Sequence, residues 1–232
     1  MLNSPANAPV ITIDGPGGSG KGTIAQKVAK SISWHLLDSG ALYRLVALAA
    51  ANHGVSLDNE ESLQILAENM DVQFLVDDPD QPMRIVLEGD VVTKDIRSEE
   101  VGRDASKVAT LPSVRAGLLQ RQHDFREAPG LVADGRDMGT VVFPDAELKI
   151  FLTASAEERA QRRFKQLQDK GMSANLADLQ AAIQSRDEQD MNRAVAPLVP
   201  ADDSIVIDST DMTIDEVFTE LMNHARNKGL VK

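Results

Sequence analysis

A glycine-rich segment between a predicted strand and a predicted helix constrains the fold of this chain more than any other feature. It reads Gly15-Pro16-Gly17-Gly18-Ser19-Gly20-Lys21-Gly22-Thr23. A short β-branched run over residues 10–13 precedes it, and apolar residues at helical spacing, Ile24, Val28 and Ile32, follow it. Residues without a Cβ allow backbone N–H groups to turn inward around phosphate oxygens, and the helix start adds a favourable dipole. The Gly-x4-Gly-Lys pattern in this setting predicts a loop that binds the phosphates of a nucleotide.

The lysine of this loop and the residues after it predict how phosphates and a metal ion are held. Lys21 is expected to reach the β- and γ-phosphates of a nucleoside triphosphate as a point charge. The next residue is Gly22, where the common pattern has Ser or Thr. The nearest hydroxyl that could bind Mg²⁺ therefore belongs to Thr23.

An acidic residue at the end of another buried strand is the expected partner of that hydroxyl. Residues 131–133 form an apolar run that ends at Asp134. Because ligands of open parallel sheets bind at the carboxyl ends of the strands, Asp134 is expected near Mg²⁺ and its waters. Asp14 competes for this role, although its place beside Gly15 also suits a residue that only holds the loop. The sequence therefore predicts a magnesium site at Thr23 and Asp134.

Strand and helix patterns alternate along most of the chain. The strand runs are apolar throughout, which predicts an α/β fold with a parallel sheet covered by helices on both faces. The pattern changes over residues 57–92, where a helix is followed by two strand-like runs around a polar tip at 77–82. This segment is predicted to be a small inserted subdomain. Pro112 is expected to separate two helices, because proline is not tolerated in a helix interior.

The composition excludes several kinds of protein. The 232 residues include no cysteine, so disulfides, thiolate nucleophiles and cysteine-based metal sites are excluded, and the cytoplasm is the expected location. The formal net charge of −12 opposes general binding to nucleic acid or to anionic membranes. The first twenty residues hold no Lys or Arg, and the longest apolar run, residues 45–51, is far shorter than the roughly 20 residues that span a bilayer. We therefore expect neither a signal peptide nor a membrane anchor.

A phosphate-binding loop alone is compatible with a switch, a motor or a kinase. A guanine-specific switch would need an Asn-Lys-x-Asp base reader, and the only Asn-Lys pair, Asn227-Lys228, lacks that Asp. The chain contains 14 Arg against 10 Lys, and arginine forks match phosphate oxygens well. These features argue against a guanine-specific switch and point to arginines as the groups that hold further phosphates.

Three further segments carry a family resemblance together with the loop. They are Leu-Leu-Asp-Ser-Gly-Ala-Leu-Tyr-Arg (36–44), Ala-Asp-Gly-Arg-Asp-Met-Gly-Thr-Val-Val (133–142) and Asn-Arg-Ala-Val-Ala-Pro-Leu (192–198). In this order, and with the loop, they resemble the motifs of the bacterial cytidylate kinases, a family of P-loop nucleoside monophosphate kinases. The resemblance extends over residues 9–228.

The resemblance implies an activity and a domain organisation. It implies transfer of the γ-phosphoryl group of ATP, with Mg²⁺, to CMP or dCMP by a cytoplasmic monomer that binds neither nucleic acid nor membrane. The implied segments are a disordered leader over 1–8, a core over 9–56, 93–155 and 196–232, a monophosphate-side insertion over 57–92 and helical lid residues 156–195. Residues 93–128 of the core are expected to contribute to monophosphate binding.

The resemblance also assigns residues that contact the monophosphate and its base. Arg44 and Arg136 correspond to arginines that bind the monophosphate, with Ser39 beside them. The group that reads cytosine is Asp137, Ser106 and Arg115. The chemistry of the base agrees, because cytosine offers an N4 amino donor to a carboxylate, whereas the O4 of uracil would repel one. An ordinary surface ion pair of Arg136 and Asp137 is the alternative.

Two arginine-bearing helices complete the expected site. Arg186, Asp190 and Arg193 correspond to sugar and phosphate contacts and would share a face of a helix over 176–193, although Arg186 and Asp190 also suit an exposed i,i+4 ion pair. On the preceding helix, Arg159 and Arg163 are the expected lid arginines, and Arg162 equally suits a solvated face. The residues expected to assist phosphoryl transfer are Lys21, Arg136, Arg159, Arg163 and Arg193.

Two alternatives remain open from the sequence. A kinase for another small acceptor, such as AMP, UMP or shikimate, would use the same loop. A nucleotide-binding regulatory or interaction protein would use it without any acceptor chemistry.

Overall fold

The computed structural model describes residues 8–75, 84–169 and 171–231. The chain divides into two compact units, a first unit of residues up to Asp38 and from His123 onward, and a second unit of Ser39–Gln122. Within the described ranges no helix has the length and apolar character needed to cross a membrane. The predicted polar tip at 77–82 and residues 1–7 of the predicted leader lie outside the described residues.

The first unit is built on a five-stranded sheet in which every pair of neighbours is parallel. Its strands are β1 (Val10–Asp14), β2 (His35–Asp38), β6 (Leu131–Gly135), β7 (Leu148–Thr153) and β8 (Ile205–Asp208), in the spatial order β2-β6-β1-β7-β8. β1 and β6 are buried along their whole length, as the continuous apolar runs predict. The predicted α/β fold with a parallel sheet flanked by helices is confirmed.

Helices of the first unit cover this sheet. They are α1 (Lys21–Ile32), α6 (Ala156–Asp169), α7 (Leu176–Met191) and α8 (Ile214–Asn227). The core lies where α1 and α8 pack on alternate strand residues such as Ile11 and Ile13, with Leu221 of α8 fully buried. A capping box of Thr213 and Glu216 begins α8, because each side chain binds the backbone N–H of the other residue.

The sheet register brings acidic residues to one edge. Asp134 of β6 lies opposite Ile13 of β1 and Asp38 of β2, and Asp14 follows Ile13 as the last residue of β1. The phosphate-binding loop leaves the sheet at this same edge, between β1 and α1. The carboxyl ends of the parallel strands therefore hold the candidate site, as expected for such sheets.

The other face of β1 carries polar side chains. Because successive strand residues point to opposite faces, Thr12 and Asp14 face away from the core formed with α1 and α8. A single π-helical turn over Met138–Val142 lies against this face, and a Cβ on Gly139 would be only 2.9 Å from the Thr12 hydroxyl oxygen. Glycine at this position allows the turn to approach the strand closely.

The second unit combines four helices with a small antiparallel sheet. Its elements are α2 (Ser39–Asn52), α3 (Glu60–Asn69), β3 (Val72–Leu75), β4 (Arg84–Leu87), β5 (Asp90–Val91), α4 (Glu99–Val108) and α5 (Pro112–His123). The last residue of α5, His123, already belongs to the first unit. Asn59 and Ser98 cap α3 and α4 by accepting a backbone N–H from the first turn. The three strands and α3 all belong to segment 57–92. Its role as a separate subdomain, and the lid over 156–195, stay predictions.

Two sequence predictions of chain boundaries need correction. Ala8, assigned to the disordered leader, is buried, and the Arg126 side chain donates to its carbonyl oxygen (2.7 Å). Pro112 does separate two helices, but it is the first residue of α5 rather than a residue between them. Proline is tolerated there because the first-turn N–H groups have no partner within the helix.

Candidate active site

Glycine is required in the phosphate-binding loop for steric and conformational reasons. A Cβ on Gly15 would lie 2.0 Å from the backbone oxygen of Leu152, which no rotation of a side chain can relieve. Gly18 and Gly20 have φ values of +81° and +91°, a region that residues with a side chain rarely adopt. Gly20 also precedes α1 without a side chain to cap it. The loop therefore packs closely against its neighbours at positions where a side chain would not fit, and it forms a cradle of backbone ahead of the first turn of α1, in agreement with the sequence prediction of a phosphate loop.

Lys21 is buried at the start of α1 with its ammonium group inside this cradle. Its Nζ donates to the Pro16 carbonyl (3.3 Å) and lies 3.9 Å from Asp134 Oδ1. Burial lowers the pKa of Lys21, and the charge of Arg136 lowers it further, whereas Asp134 opposes the shift. An anionic ligand would relieve the cost of burying this positive charge.

Asp134 and the residues near it fit a bound cation. Burial raises the pKa of Asp134, with Lys21 opposing the shift. Its Oδ1 is buried with no hydrogen-bond partner. A Cβ at Gly22 would be 3.2 Å from its other oxygen, so the missing side chain leaves space for the carboxylate. Thr23 is exposed on α1. In the described ranges, no group of three or more His, Cys, Asp or Glu side chains could hold a metal ion.

Asp14 anchors the turn that follows β6. Its Oδ1 accepts the backbone N–H of Met138 and its Oδ2 accepts that of Gly139, both at 2.8 Å. Burial raises the pKa of Asp14 to about 6, although these two hydrogen bonds oppose the shift. Both carboxylate oxygens are thus occupied by the turn that begins after Asp137. This arrangement fits a holding residue rather than a metal ligand.

Arg136 is joined to α7 by a buried ion pair. Its Nε donates to Asp190 Oδ2 (2.8 Å), and its Nη2 lies 3.4 Å from where a Cβ on Gly17 would be. Burial raises the pKa of Asp190, but the charges of Arg136, Arg193 and Arg186 outweigh it and leave the pKa below its ordinary value. The first unit therefore gathers three guanidinium groups around one carboxylate.

Two details of this cluster differ from the sequence prediction. Asp190 is buried and accepts from Arg136, whereas the alternative of an exposed i,i+4 pair with Arg186 placed it at the surface. α7 ends at Met191, so Arg193 lies beyond the helix rather than on its face. The chain turns back after the helix, where the Leu198 N–H donates to the Asp190 carbonyl (2.9 Å).

The arginines of α6 contact the loop backbone. Arg159 is buried, and its Nη1 donates to the Gly17 carbonyl (3.0 Å) while its guanidinium pairs with both carboxylate oxygens of Asp187. These contacts lie within the protein, and the predicted role of Arg159 in phosphoryl transfer stays a prediction. Arg162, which the sequence allowed on a solvated face, is half-buried and donates to the Ser209 carbonyl (2.6 Å). Arg163 is half-buried near Gln166.

In the second unit, α2 carries two of the predicted monophosphate contacts. Ser39 is buried and its hydroxyl donates to the Gln122 side chain (2.7 Å). Arg44 donates from Nη1 to the Ile96 carbonyl (2.7 Å), and its guanidinium lies so close to Gly102 that a Cβ there would be 2.9 Å from Nη2. Packing and hydrogen bonding thus fix the plane of the Arg44 guanidinium.

The other two predicted contacts of the second unit lie on α4 and α5. The Ser106 hydroxyl donates to the Gly102 carbonyl one turn earlier in α4 (3.1 Å). Arg115 is buried, donates to the Ala109 carbonyl (3.2 Å) and lies over the Tyr43 ring at 5.7 Å. Asp137, the remaining predicted base contact, is a buried residue of the first unit. The assigned contact roles of all these residues stay predictions.

Asp187 and Gln122 bind predicted site residues but carry no recognisable signal in the sequence. Asp187 binds Arg159 across 28 positions, and Gln122 binds Ser39 across 83. Asp187 stands one residue after Arg186 in an otherwise polar helix, and a glutamine in a polar stretch carries no signal of its own. Neither could be recognised without the packing of the helices.

Comparison with known proteins decides the family. The family model "Cytidylate kinase" matches residues 11–227. This chain belongs to the cytidylate kinase family. A cytidylate kinase of Pseudomonas fluorescens is 64% identical over 216 residues, 93% of this chain and 94% of that one. A cytidylate kinase of Aeromonas salmonicida is 60% identical over 224 residues, which are 97% of this chain and 96% of that one. One of Marinomonas sp. is 59% identical over 231 residues, which are 100% of both chains. The predicted family and enzyme class, a nucleoside monophosphate kinase, are confirmed.

The buried carboxylate of Asp14 predicts a pH dependence of stability. Asp14 should titrate near 3.8 in the unfolded chain and near 6 in the folded one, so its contribution to stability is largest at low pH and declines as the pH rises from about 4 to about 6. Asp14→Asn removes this dependence. We expect the unfolding free energy of the wild type, relative to Asp14→Asn, to fall by on the order of 3 kcal/mol over that range in urea titrations.

The matched control for this measurement is Asp211→Asn, which removes an exposed carboxylate of the same unit. Its stability relative to the wild type should not change with pH in this way. A difference between wild type and Asp14→Asn that is constant from pH 4 to 7 would contradict the prediction.

Proposed function

We propose that this chain transfers the γ-phosphoryl group of ATP to the 5′-phosphate of CMP or dCMP, giving ADP and CDP or dCDP. The observation that carries the proposal is the buried Lys21 inside a glycine cradle, beside the Arg136 guanidinium and within a chain of the cytidylate kinase family. Such a site collects positive charge where two phosphate groups would otherwise repel each other.

The donor nucleotide is proposed to bind at the loop of residues 15–23. Its inward N–H groups and the first turn of α1 would bind the β-phosphate, and Lys21 would reach the γ-phosphate. Asp134, whose Oδ1 has no hydrogen-bond partner and lies 3.9 Å from Lys21 Nζ, is the residue of this chain best suited to hold Mg²⁺ or its waters, and Thr23 is the second candidate. When bound, Mg²⁺ would neutralise phosphate charge.

The reaction needs no covalent intermediate and no general base. At neutral pH the acceptor phosphate already carries an anionic oxygen that can attack the γ-phosphorus, so catalysis consists of alignment and of charge neutralisation. We propose that Lys21, Arg136, Arg163 and Arg193 neutralise the moving group. Arg186 and Asp190 would contact the sugar and phosphate.

The acceptor is proposed to be recognised by its phosphate and by the amino edge of its base. Arg44 and Ser39 would bind the phosphate. Asp137 would accept from the cytosine N4 amino group, with Ser106 and Arg115 as the other base contacts. Uracil has a carbonyl oxygen in place of that amino group, so a carboxylate opposite it would be repelled, and sites built from hydrogen bonds reject such analogues strongly.

We further propose that the enzyme acts as a cytoplasmic monomer on small nucleotides, without a nucleic-acid or membrane partner. The helices over 156–195 would close over bound substrates, since water would otherwise accept the phosphoryl group. Residues 57–92 would form the monophosphate-side insertion.

A panel of acceptors tests the proposed function. The purified protein is incubated with Mg-ATP and with CMP, dCMP, UMP, AMP or shikimate, and the formation of ADP is followed. We expect CMP and dCMP to be phosphorylated at least about tenfold faster than the others at equal low concentration. Faster phosphorylation of AMP, UMP or shikimate would assign a different acceptor. A rate of ADP formation that no acceptor raises above the rate without acceptor would argue against a kinase.

Lys21→Met should separate chemistry from acceptor binding. Methionine keeps the length of the side chain but loses its charge, so kcat should fall about 100-fold or more. The Kd for CMP, measured by calorimetry, should change less than about threefold, because Lys21 is assigned to the donor phosphates. Lys30→Met, on the exposed side of the same helix, is the matched control and should retain activity. Unchanged turnover of Lys21→Met would rule out this mechanism.

Asp137→Asn should relax the choice of base. The amide has nearly the same shape as the carboxylate, but it is uncharged and can donate to a carbonyl oxygen. We expect kcat/KM for CMP to fall about 10- to 100-fold and that for UMP to fall much less or to rise. Asp202→Asn, an exposed residue of the same unit, serves as the control. Equal losses for CMP and UMP would argue that Asp137 does not read the base.

A further inference from the structure

Arg159 is bound at four points, all of them within the protein. Its Nε donates to the Ala154 carbonyl (2.9 Å), its Nη1 to the Gly17 carbonyl (3.0 Å), and its two terminal nitrogens to the two oxygens of Asp187. The residue is 4% exposed. A guanidinium group has five N–H donors in a fixed plane, so these contacts use four of the five and fix its orientation.

The bond from Arg159 to Gly17 determines where the next amide points. Across a trans peptide unit, the C=O of one residue and the N–H of the following residue point in opposite directions. When the Gly17 carbonyl is drawn toward α6, the Gly18 N–H is turned to the other side of the loop backbone. Gly18 also packs its Cα against the Arg159 side chain, where a Cβ would contact the arginine Cβ at 3.4 Å.

A second arginine of α6 repeats the pattern two peptide units further along. Arg162 Nη1 lies 3.5 Å from the Ser19 carbonyl, and the Ser209 hydroxyl approaches the same oxygen at 3.4 Å. The Gly20 N–H, in the same peptide unit as that oxygen, is turned away from α6. Both contacts are longer than that of Arg159, so Arg159 provides the stronger restraint.

Asp187 of α7 holds Arg159 in place for this contact. Its carboxylate binds both terminal nitrogens of Arg159 in a fork, the geometry with the strongest orientation among ion pairs. Without it, Arg159 would keep only its bonds to two carbonyl oxygens and would leave part of a buried cation unpaired. The fork therefore connects α7 to the loop through one side chain.

We propose that Arg159 and Asp187 are positioning residues that orient the Gly18 amide toward the donor phosphates, so that the loop is already in its binding conformation before the nucleotide arrives. The identity of the bound nucleotide in this inference rests on the proposed function. Arg159 acts through the loop backbone and is not itself a phosphate contact. Preorganisation of this kind strengthens binding because less chain entropy is lost when the phosphates bind.

Backbone dynamics of the nucleotide-free protein test this role. In the wild type, ¹⁵N relaxation should give the Gly18 amide an order parameter near 0.85, and Asp187→Asn and Arg159→Lys should each lower it below about 0.6. Lysine has three donors and no planar fork, so it cannot reproduce all four contacts of Arg159. In calorimetry with ADP, each variant should raise the Kd about tenfold, and the double variant should be no worse than either single one.

Glu188→Gln provides the matched control, because it removes one exposed carboxylate from the adjacent position of α7. It should leave both the Gly18 order parameter and the Kd for ADP unchanged. A rigid Gly18 amide in both Asp187→Asn and Arg159→Lys would overturn the proposal, as would tighter ADP binding by Asp187→Asn, which would indicate a phosphate contact released from its partner. Failure of the wild type to bind ADP would count against the proposed function, whereas the relaxation data would still decide the positioning role.

Discussion

The site depends on the buried ammonium group of Lys21, which has fewer hydrogen-bond acceptors around it than it has N–H donors. The Lys21 ammonium has one carbonyl and a carboxylate 3.9 Å away, and the neighbouring arginine makes its position less favourable still. Burying a cation in this way costs free energy that the rest of the fold must offset. Phosphate oxygens are the ligands that would complete its surroundings, so the ability to bind a nucleotide follows from the same burial.

The carboxyl edge of the parallel sheet gives three aspartates different roles. Asp38 and Asp14 end β2 and β1, and Asp134 is the penultimate residue of β6 between them. Both oxygens of Asp14 are bound by backbone N–H groups. Asp134 faces Lys21 and has an oxygen without a hydrogen-bond partner. Residue type and strand position therefore do not determine function here. The partners that the chain brings to each carboxylate decide whether it holds a loop or is available to a ligand.

Local patterns in the sequence predicted the parts of the structure that depend on neighbouring residues. The loop, the buried strands and the acid after residues 131–133 all follow from short runs whose chemistry is visible in the sequence. Contacts between distant segments were not predictable. The residues around Arg162, for example, are equally compatible with a side chain in solvent and with one that donates to the Ser209 carbonyl. The position of Arg193 was missed for a related reason, since the helix ends two residues earlier than its periodicity indicates.

Gly22 leaves space beside the carboxylate of Asp134, which is the candidate metal ligand on the adjacent strand. The space that a Cβ would take at this position lies 3.2 Å from a carboxylate oxygen of Asp134. A side chain at this position would approach the carboxylate closely, so the Asp134 side chain would have to shift by a few tenths of an ångström to admit one. In this chain the carboxylate therefore keeps its place beside Lys21 because the residue after the lysine has no side chain.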